Sequence, residues 1–145
     1  IVAWGVIHMA AAWVGTQLPI ALFSPGQWCY RERKWEHGGQ IYETLFAIRQ
    51  WKSLLPDGAA LFKKGFRKKR LAAREPAYVG RFIWETCRGE AVHWVVLLCS
   101  LLFFLWNPWW VGVIMVIYAL AANVPCIVTQ RYNRIRLARL ASRHR

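Results

Sequence analysis

The stretch AVHWVVLLCSLLFFLWNPWWVGVIMVIYALAANVPCIVTQ, residues 91–130, contains no Lys, Arg, Asp or Glu, and Asn107-Pro108-Trp109-Trp110 lies near its middle. Forty residues at about 1.5 Å each reach roughly 60 Å as helix, two crossings of a hydrocarbon core about 30 Å thick. The stretch therefore reads as a transmembrane hairpin. Asn-Pro breaks the helix at the turn, and Trp106, Trp109 and Trp110 stand where amphipathic aromatic rings favour the headgroup level.

On either side of the hairpin the chain alternates apolar and charged blocks. Residues 1 to 29 carry no formal side-chain charge; all seven acidic and fourteen of the twenty basic residues lie between Tyr30 and Glu90, and the other six basic residues follow Gln130. The net charge of +13 is thus held in two basic blocks, which the positive-inside rule sends to the cytoplasm, with the Asn107-Pro108 turn and the N-terminus outside. We expect an all-α integral membrane protein with about three transmembrane helices, the charge-free hairpin plus an N-terminal span, and a cytoplasmic amphipathic helix. At 145 residues it is of single-domain size. The expected parts of this one membrane domain, 1–145, are spans at about 1–23, 89–106 and 108–130, a cytoplasmic interfacial segment at 30–88 and a basic tail at 131–145. The localisation that follows is the cell membrane, multi-pass, with the basic segments cytoplasmic.

The competing view of the charge is a nucleic-acid surface, because KKGFRKKR at 63–70 looks like a phosphate-binding run. Two apolar segments of spanning length leave no soluble core to display it, so no nucleic-acid partner is expected. Contact with anionic lipid is the simpler reading, and a ligand carrying several phosphates would be drawn to the same surface. Cys29, Cys87, Cys99 and Cys126 show no CxxC or Cys/His ligand spacing, which argues against structural zinc, any other metal and a disulfide framework. No basic region precedes the first apolar segment, so it reads as a retained span rather than a signal peptide. The chain begins at Ile1 without a Met, and a few residues are expected upstream.

Ser24-Pro25-Gly26 should turn the chain after the first span, whose end Pro19 interrupts. In IYETLFAIRQWKSLL, Ile41, Leu45, Ile48, Trp51 and Leu55 recur at helical spacing, which predicts one amphipathic helix lying against the membrane, stopped by Pro56-Asp57-Gly58. Pro76 suits a first helical turn, and one long helix is expected from about Ala77 to Trp106. The returning arm should run from about Pro108 to Gln130, kinked at Pro125, with RYNRIRLARLASRHR continuing as an amphipathic tail.

Chemistry is concentrated at the hairpin's ends. Glu85, Arg88, Glu90 and His93 fall on one expected helix at spacings of three and four, so Glu85 can face Arg88 and Glu90 can face His93. The second pair would sit at the edge of low dielectric, where a carboxylate can orient an imidazole that accepts a proton from a hydroxyl. The plainer reading makes them headgroup anchors and interhelical hydrogen bonds. His8 carries a weaker claim, and Asn123 is more simply a packing residue. Gln130, Arg131, Tyr132, Asn133, Arg134 and Arg136 form a second group whose guanidinium ions can grip carboxylate, phosphate or lipid headgroups. Asp57 most simply bonds its own turn.

GTQLP (15–19), WEHGG (35–39), WKSLLPDGA (51–59), ETCRGEAVHW (85–94) and YALAANVPCIVTQRYNRIRL (118–137) resemble, in order and over nearly the whole chain, the bacterial glycosyl-4,4'-diaponeurosporenoate acyltransferases of staphyloxanthin-type carotenoid synthesis. The resemblance implies an acyltransferase that moves a fatty acyl group from a donor such as acyl-CoA, a substrate rather than a resident cofactor, to a sugar hydroxyl of a glycosylated apocarotenoid. Membrane lipids would be its other partners, and an oligomer is compatible with it. Carried over on its motifs are Glu36, His37, Trp51, Lys52, Asp57, Glu85, Arg88, Asn123, Gln130, Arg131, Asn133, Arg134 and Arg136 for substrate and donor binding, with His93, Glu90 and Tyr132 for catalysis. The mechanism implied is direct: His93, assisted by Glu90, takes the hydroxyl proton while Arg131 or Tyr132 holds the oxyanion or the donor phosphates. A covalent route through Cys87 is weaker, because no base is aimed at it in the sequence. Two rivals stand beside this reading: a methyltransferase- or reductase-like membrane enzyme acting on lipid or isoprenoid substrates, and a non-catalytic membrane subunit. Convergence of Glu90, His93, Arg131 and Tyr132 would favour an enzyme.

Overall fold

The computed structural model describes residues 2–55 and 76–142. Pro56-Asp57-Gly58, the basic run at 63–70 and Glu75 lie outside the described residues. All regular structure among the described residues is helical. Helix α1 (Val2–Gln17) is followed by a short 3-10 turn, Ile20–Phe23. A 3-10 segment at Lys34–Gly39 leads into α2 (Gln40–Thr44) and α3 (Ile48–Trp51), and the two long helices α4 (Pro76–Cys99) and α5 (Trp109–Ser142) complete the chain.

The hairpin of α4 and α5 is the frame. α4 continues beyond Cys99 as a 3-10 stretch, Ser100–Leu105, instead of holding α-geometry to Trp106. Ser100 at the change of pitch donates its hydroxyl to the Leu97 carbonyl at 2.6 Å. α5 is a single helix of 34 residues, about 51 Å. It runs through Pro125 and on through the tail, because Tyr132, Arg134, Ile135 and Leu137 remain buried beyond the end of the charge-free stretch. Two helical stretches, Pro76–Leu105 and Trp109–Ser142, are long and apolar enough to cross a membrane, against the three expected. At 16 residues, about 24 Å, α1 is short for a core about 30 Å thick.

α1 lies along α4, and its Trp4 anchors the apolar end of the structure. The Trp4 ring stacks on Phe103 at 5.0 Å, and its indole N–H points to the Met115 sulfur at 3.1 Å, with Val96 and Ala119 closing the cluster. Leu98, Leu101, Leu105, Ile114, Ile117 and Leu120 face outward along α4 and α5. A core helix of a soluble protein would bury such side chains.

At the other end, the expected single amphipathic helix is broken. Ala47 takes a left-handed backbone at φ 46°, so the chain reverses between α2 and α3. The bend buries Tyr42 and Ile48 together against Tyr132 and Ile135 of α5 and leaves Leu45 outside. A straight helix would have kept Leu45 on the same stripe as Ile48; burial of two large residues against α5 outweighs that regularity.

The approach of α1 to α4 rests on Gly15, where an added Cβ would come 2.5 Å from Cγ2 of Val92. Val92 is β-branched and stiff, so it yields at a cost. Gly15→Ile should therefore destabilise the protein by about 1–3 kcal/mol. Gly5→Ala, where nothing lies within 4 Å, should be neutral or stabilising by up to about 1 kcal/mol. Denaturant unfolding of both variants in detergent micelles checks the contrast, and equal stability would refute the close α1–α4 contact.

Candidate functional site

Arg131 is the centre of the polar end, and each of its five N–H donors is used. Nε and Nη2 clasp Glu36 at 2.9 and 3.0 Å, while Nη1 bonds Glu90 at 3.1 Å and the Cys29 carbonyl at 3.0 Å. Nη2 also donates to the Arg31 carbonyl at 3.2 Å. Glu36 is equally saturated: the Tyr42 hydroxyl and the Arg33 amide donate to its two oxygens alongside Arg131. Glu90 receives Arg134 Nη2 at 2.5 Å on its second oxygen and the Trp94 indole N–H at 3.5 Å on its first. Arg134 in turn donates to the Tyr30 carbonyl and lies over the Tyr30 ring.

The result is a lattice of two carboxylates and two guanidinium ions, formally neutral and almost dry: Glu36 is 0%, Glu90 3% and Arg134 4% exposed. Burying these charges costs several kcal/mol each, and mutual attraction with hydrogen bonding to every carboxylate oxygen and to all but Nη1 of Arg134 roughly returns it. Such a lattice adds little net stability but fixes geometry. It ties the Arg31–Tyr42 region to both arms of the hairpin, whose ends meet as Glu90 and Arg131.

WEHGG makes this approach possible. His37, Gly38 and Gly39 all have positive φ, at 45°, 69° and 88°. Gly38 leaves room for the Arg139 guanidinium, and a Cβ placed at Gly39 would meet Tyr132 and Ile135 at ordinary van der Waals distance. His37 itself is exposed.

Deeper along the hairpin, His93 Nδ1 lies 2.9 Å from Asn123 Oδ1, and Asn123 Nδ2 donates to the Ala119 carbonyl at 2.9 Å. The second bond orients the amide, making Oδ1 the acceptor from His93. Nδ1 then carries the proton and Nε2 the lone pair. Asn123 of α5 thus hydrogen-bonds and orients His93, and the hydrogen bonds of Glu90 include those from Arg131, Arg134 and Trp94.

Tyr132, wholly buried, belongs to a neighbouring cluster. Its hydroxyl donates to Glu43 at 2.6 Å and accepts from Arg49 at 3.3 Å and Arg136 at 3.0 Å. Lys52 sits 4.8 Å over its ring and donates to Asn133 at 3.4 Å. The Tyr132 hydroxyl, more than the Arg49 pair, holds the Glu43 carboxyl below its ordinary range. Burial, reinforced by Arg136 and Arg49, pushes the Lys52 ammonium down.

Of the other expected site residues, Glu85 and Arg88 form a buried pair of their own on α4. Trp51 packs against the Tyr42–Tyr132 cluster and donates to the Phe46 carbonyl, and Gln130 holds a buried Oε1 without a hydrogen-bond partner. Asp57 lies outside the described residues. Cys87 is fully buried, which disfavours it as an acyl-accepting nucleophile. The sequence did not single out Tyr42, Glu43 or Arg49, since the break at Ala47 that turns them toward α5 has no strong sequence signal. A carboxylate such as Glu43 within so basic a segment was the one available hint.

An α-helical hairpin with a dry carboxylate–guanidinium lattice at one end and an amide-oriented histidine below it has the makings of an enzyme acting beside apolar surface. Comparison gives the family. The chain matches the family model for glycosyl-4,4'-diaponeurosporenoate acyltransferase over residues 26–143. It is 31% identical over 137 residues to the proteins of that name from Staphylococcus aureus strains bovine RF122, USA300 and NCTC 8325, covering 94% of this chain and 82% of each relative. It belongs to this family of acyltransferases. No solved structure matches it.

Glu36 supplies a test of the lattice. Burial opposes ionisation, but the Arg131, Tyr42 and Arg33 hydrogen bonds prevail and hold its carboxyl below the ordinary range. The stabilisation is therefore complete above the unfolded value of about 4.3 and is lost as pH falls through the lower folded value. Glu36→Gln should cost about 3–5 kcal/mol at neutral pH by leaving Arg131 underpaired, and it should flatten the acid limb of stability. Unfolding in detergent as a function of pH measures both, and parallel acid limbs for wild type and variant would exclude this role.

Proposed function

We propose that the protein is a multi-pass cell-membrane acyltransferase that transfers a fatty acyl group from acyl-CoA to a sugar hydroxyl of a glycosylated apocarotenoid. In this reading residues 1–145 form one membrane domain, and both basic segments face the cytoplasm. The outward apolar side chains of α4 and α5 support embedding in lipid. The family supports acyl transfer and the class of acceptor.

The observation that carries the mechanism is the Ala119–Asn123–His93 relay, which presents His93 Nε2 as a base. Nε2 takes the proton of the sugar hydroxyl, and the oxygen attacks the thioester carbonyl. As the tetrahedral intermediate collapses, the C–S bond breaks and the departing thiolate recovers the proton from the imidazolium. Proton transfer of this kind contributes about 10²–10⁴-fold. Asn123 keeps the required tautomer and stabilises the imidazolium through Oδ1.

Glu90 acts as a positioning residue in this scheme. Its bonds to Arg131 and Arg134 hold α4 in register with α5, so that His93, three residues further on, reaches Asn123. Tyr132 likewise serves as a platform, because its hydroxyl is already held by Glu43, Arg49 and Arg136.

His93→Gln should lower kcat by about 10²–10⁴-fold in folded protein assayed with acyl-CoA and the glycosylated acceptor. Asn123→Leu should lower kcat and move the acid limb of the pH–rate profile to lower pH, since the tautomer and the imidazolium lose their partner. Activity of the His93 variant within a few fold of wild type would remove it from the base role.

A further inference from the structure

The positive charge at the polar end is divided into two populations. Arg134 is buried and Arg131 largely so; both are matched by Glu36 and Glu90, and Arg131 has no donor left. Arg131 cannot take up a further anion without breaking the lattice, and Arg134, whose Nη1 has no hydrogen-bond partner, is shut off from solvent at 4% exposure. Arg49, Lys52 and Arg136 gather instead around Tyr132, with Glu43 as the carboxylate among them. Three cations share one acidic partner, and Arg49 and Arg136 are solvent-exposed while Lys52 is half-buried.

We propose that Arg49, Lys52 and Arg136, with Asn133 beside them, form a phosphoryl-binding site. It deepens the acyltransferase reading and rests on it for the identity of the ligand: the phosphates of the acyl donor would sit here and not on Arg131 or Arg134. The same chemistry would accept the phosphate of an anionic lipid headgroup, and the two sources separate by experiment.

Three features favour a phosphoryl group over a carboxylate. Two guanidinium ions and an ammonium converge from α3, the following turn and α5, a spread suited to several oxygens. The rigid Tyr132 ring under Lys52 and Arg136 restricts their rotamers, which lowers the ordering cost of binding. Repulsion from Arg136 and Arg49 on the Lys52 ammonium is relieved when a dianion enters. Distance agrees as well. Asn133 lies ten residues from Asn123 on α5, about 15 Å along the axis, a span that an extended pantetheine arm covers from phosphate to thioester at His93.

The test uses the whole protein in nanodiscs of phosphatidylcholine, with adenosine 3',5'-bisphosphate as the probe and pantetheine, which carries no phosphate, as the control, and in nanodiscs of phosphatidylcholine mixed with phosphatidylglycerol for the lipid arm. Arg49→Gln combined with Arg136→Gln should weaken bisphosphate binding by about tenfold or more and leave pantetheine binding as in wild type. Lys52→Gln should do the same, and Lys52→Arg should restore most of the loss. That result assigns the site to a soluble phosphorylated donor. Weak bisphosphate binding that the substitutions do not alter, together with loss of preferential phosphatidylglycerol retention in native mass spectrometry, assigns it to a lipid headgroup. If neither the bisphosphate nor phosphatidylglycerol distinguishes variant from wild type, the site does not exist. Because these readouts are of binding, a protein that binds the bisphosphate through these residues but transfers no acyl group would overturn the transfer reading alone.

Discussion

A guanidinium ion at the edge of a charge-free hairpin has to be neutralised, and the arrangement of Arg131 follows from that requirement. Both of its carboxylate partners come from elsewhere in the chain: Glu36 from the segment before α2 and Glu90 from α4. Apolar packing holds two helices together but tolerates sliding and rotation about their axes, because one Leu or Val contact is much like the next. A bidentate clasp with five used donors is intolerant of either motion. The lattice therefore sets the register of α4 against α5 and pins the Arg31–Tyr42 region over their ends.

That register has chemical consequences one helical turn away. His93 follows Glu90 by three residues on α4, and Asn123 precedes Arg131 by eight on α5, so locking Glu90 to Arg131 brings the imidazole opposite the amide that orients it. In the proposed reading, this separates labour between groups of similar appearance. Buried, matched charges hold the geometry; the histidine moves the proton; the partly exposed cations around Tyr132 hold the ligand's charge. A lattice that adds little net stability is retained in such a design for the position it imposes on its neighbours.

Much of the frame was legible in the sequence. The absence of charge from 91 to 130, broken by Asn107-Pro108, reads as two apolar helices and a turn, since a helix satisfies its backbone groups within its own segment. The meeting of the two ends follows from the hairpin itself. Glu90 and Arg131 were marked by their place at its boundaries, and their contact is direct. The 3.6-residue period also located Ile48 and Trp51 on a packing face.

What only the tertiary structure decided is which charge answers which. Periodicity reports neighbours three or four residues apart, as with Glu85 and Arg88; the hydrogen bonds that tie Arg131 and His93 to other elements join residues from 30 to more than 100 positions apart, to which local spacing is blind. The left-handed residues His37 and Ala47 show the same limit. Their strained backbones are held by the burial of Tyr42, Ile48 and Glu36 against α5, and no local preference of the chain would have selected them. Sequence thus determined that two apolar helices return charged ends to one face, because hydrophobicity and helix breaking are local properties. The division of the polar side chains into a neutral lattice, an amide-oriented histidine and a partly exposed basic cluster was left to packing, because it depends on which distant side chains share the same few ångströms.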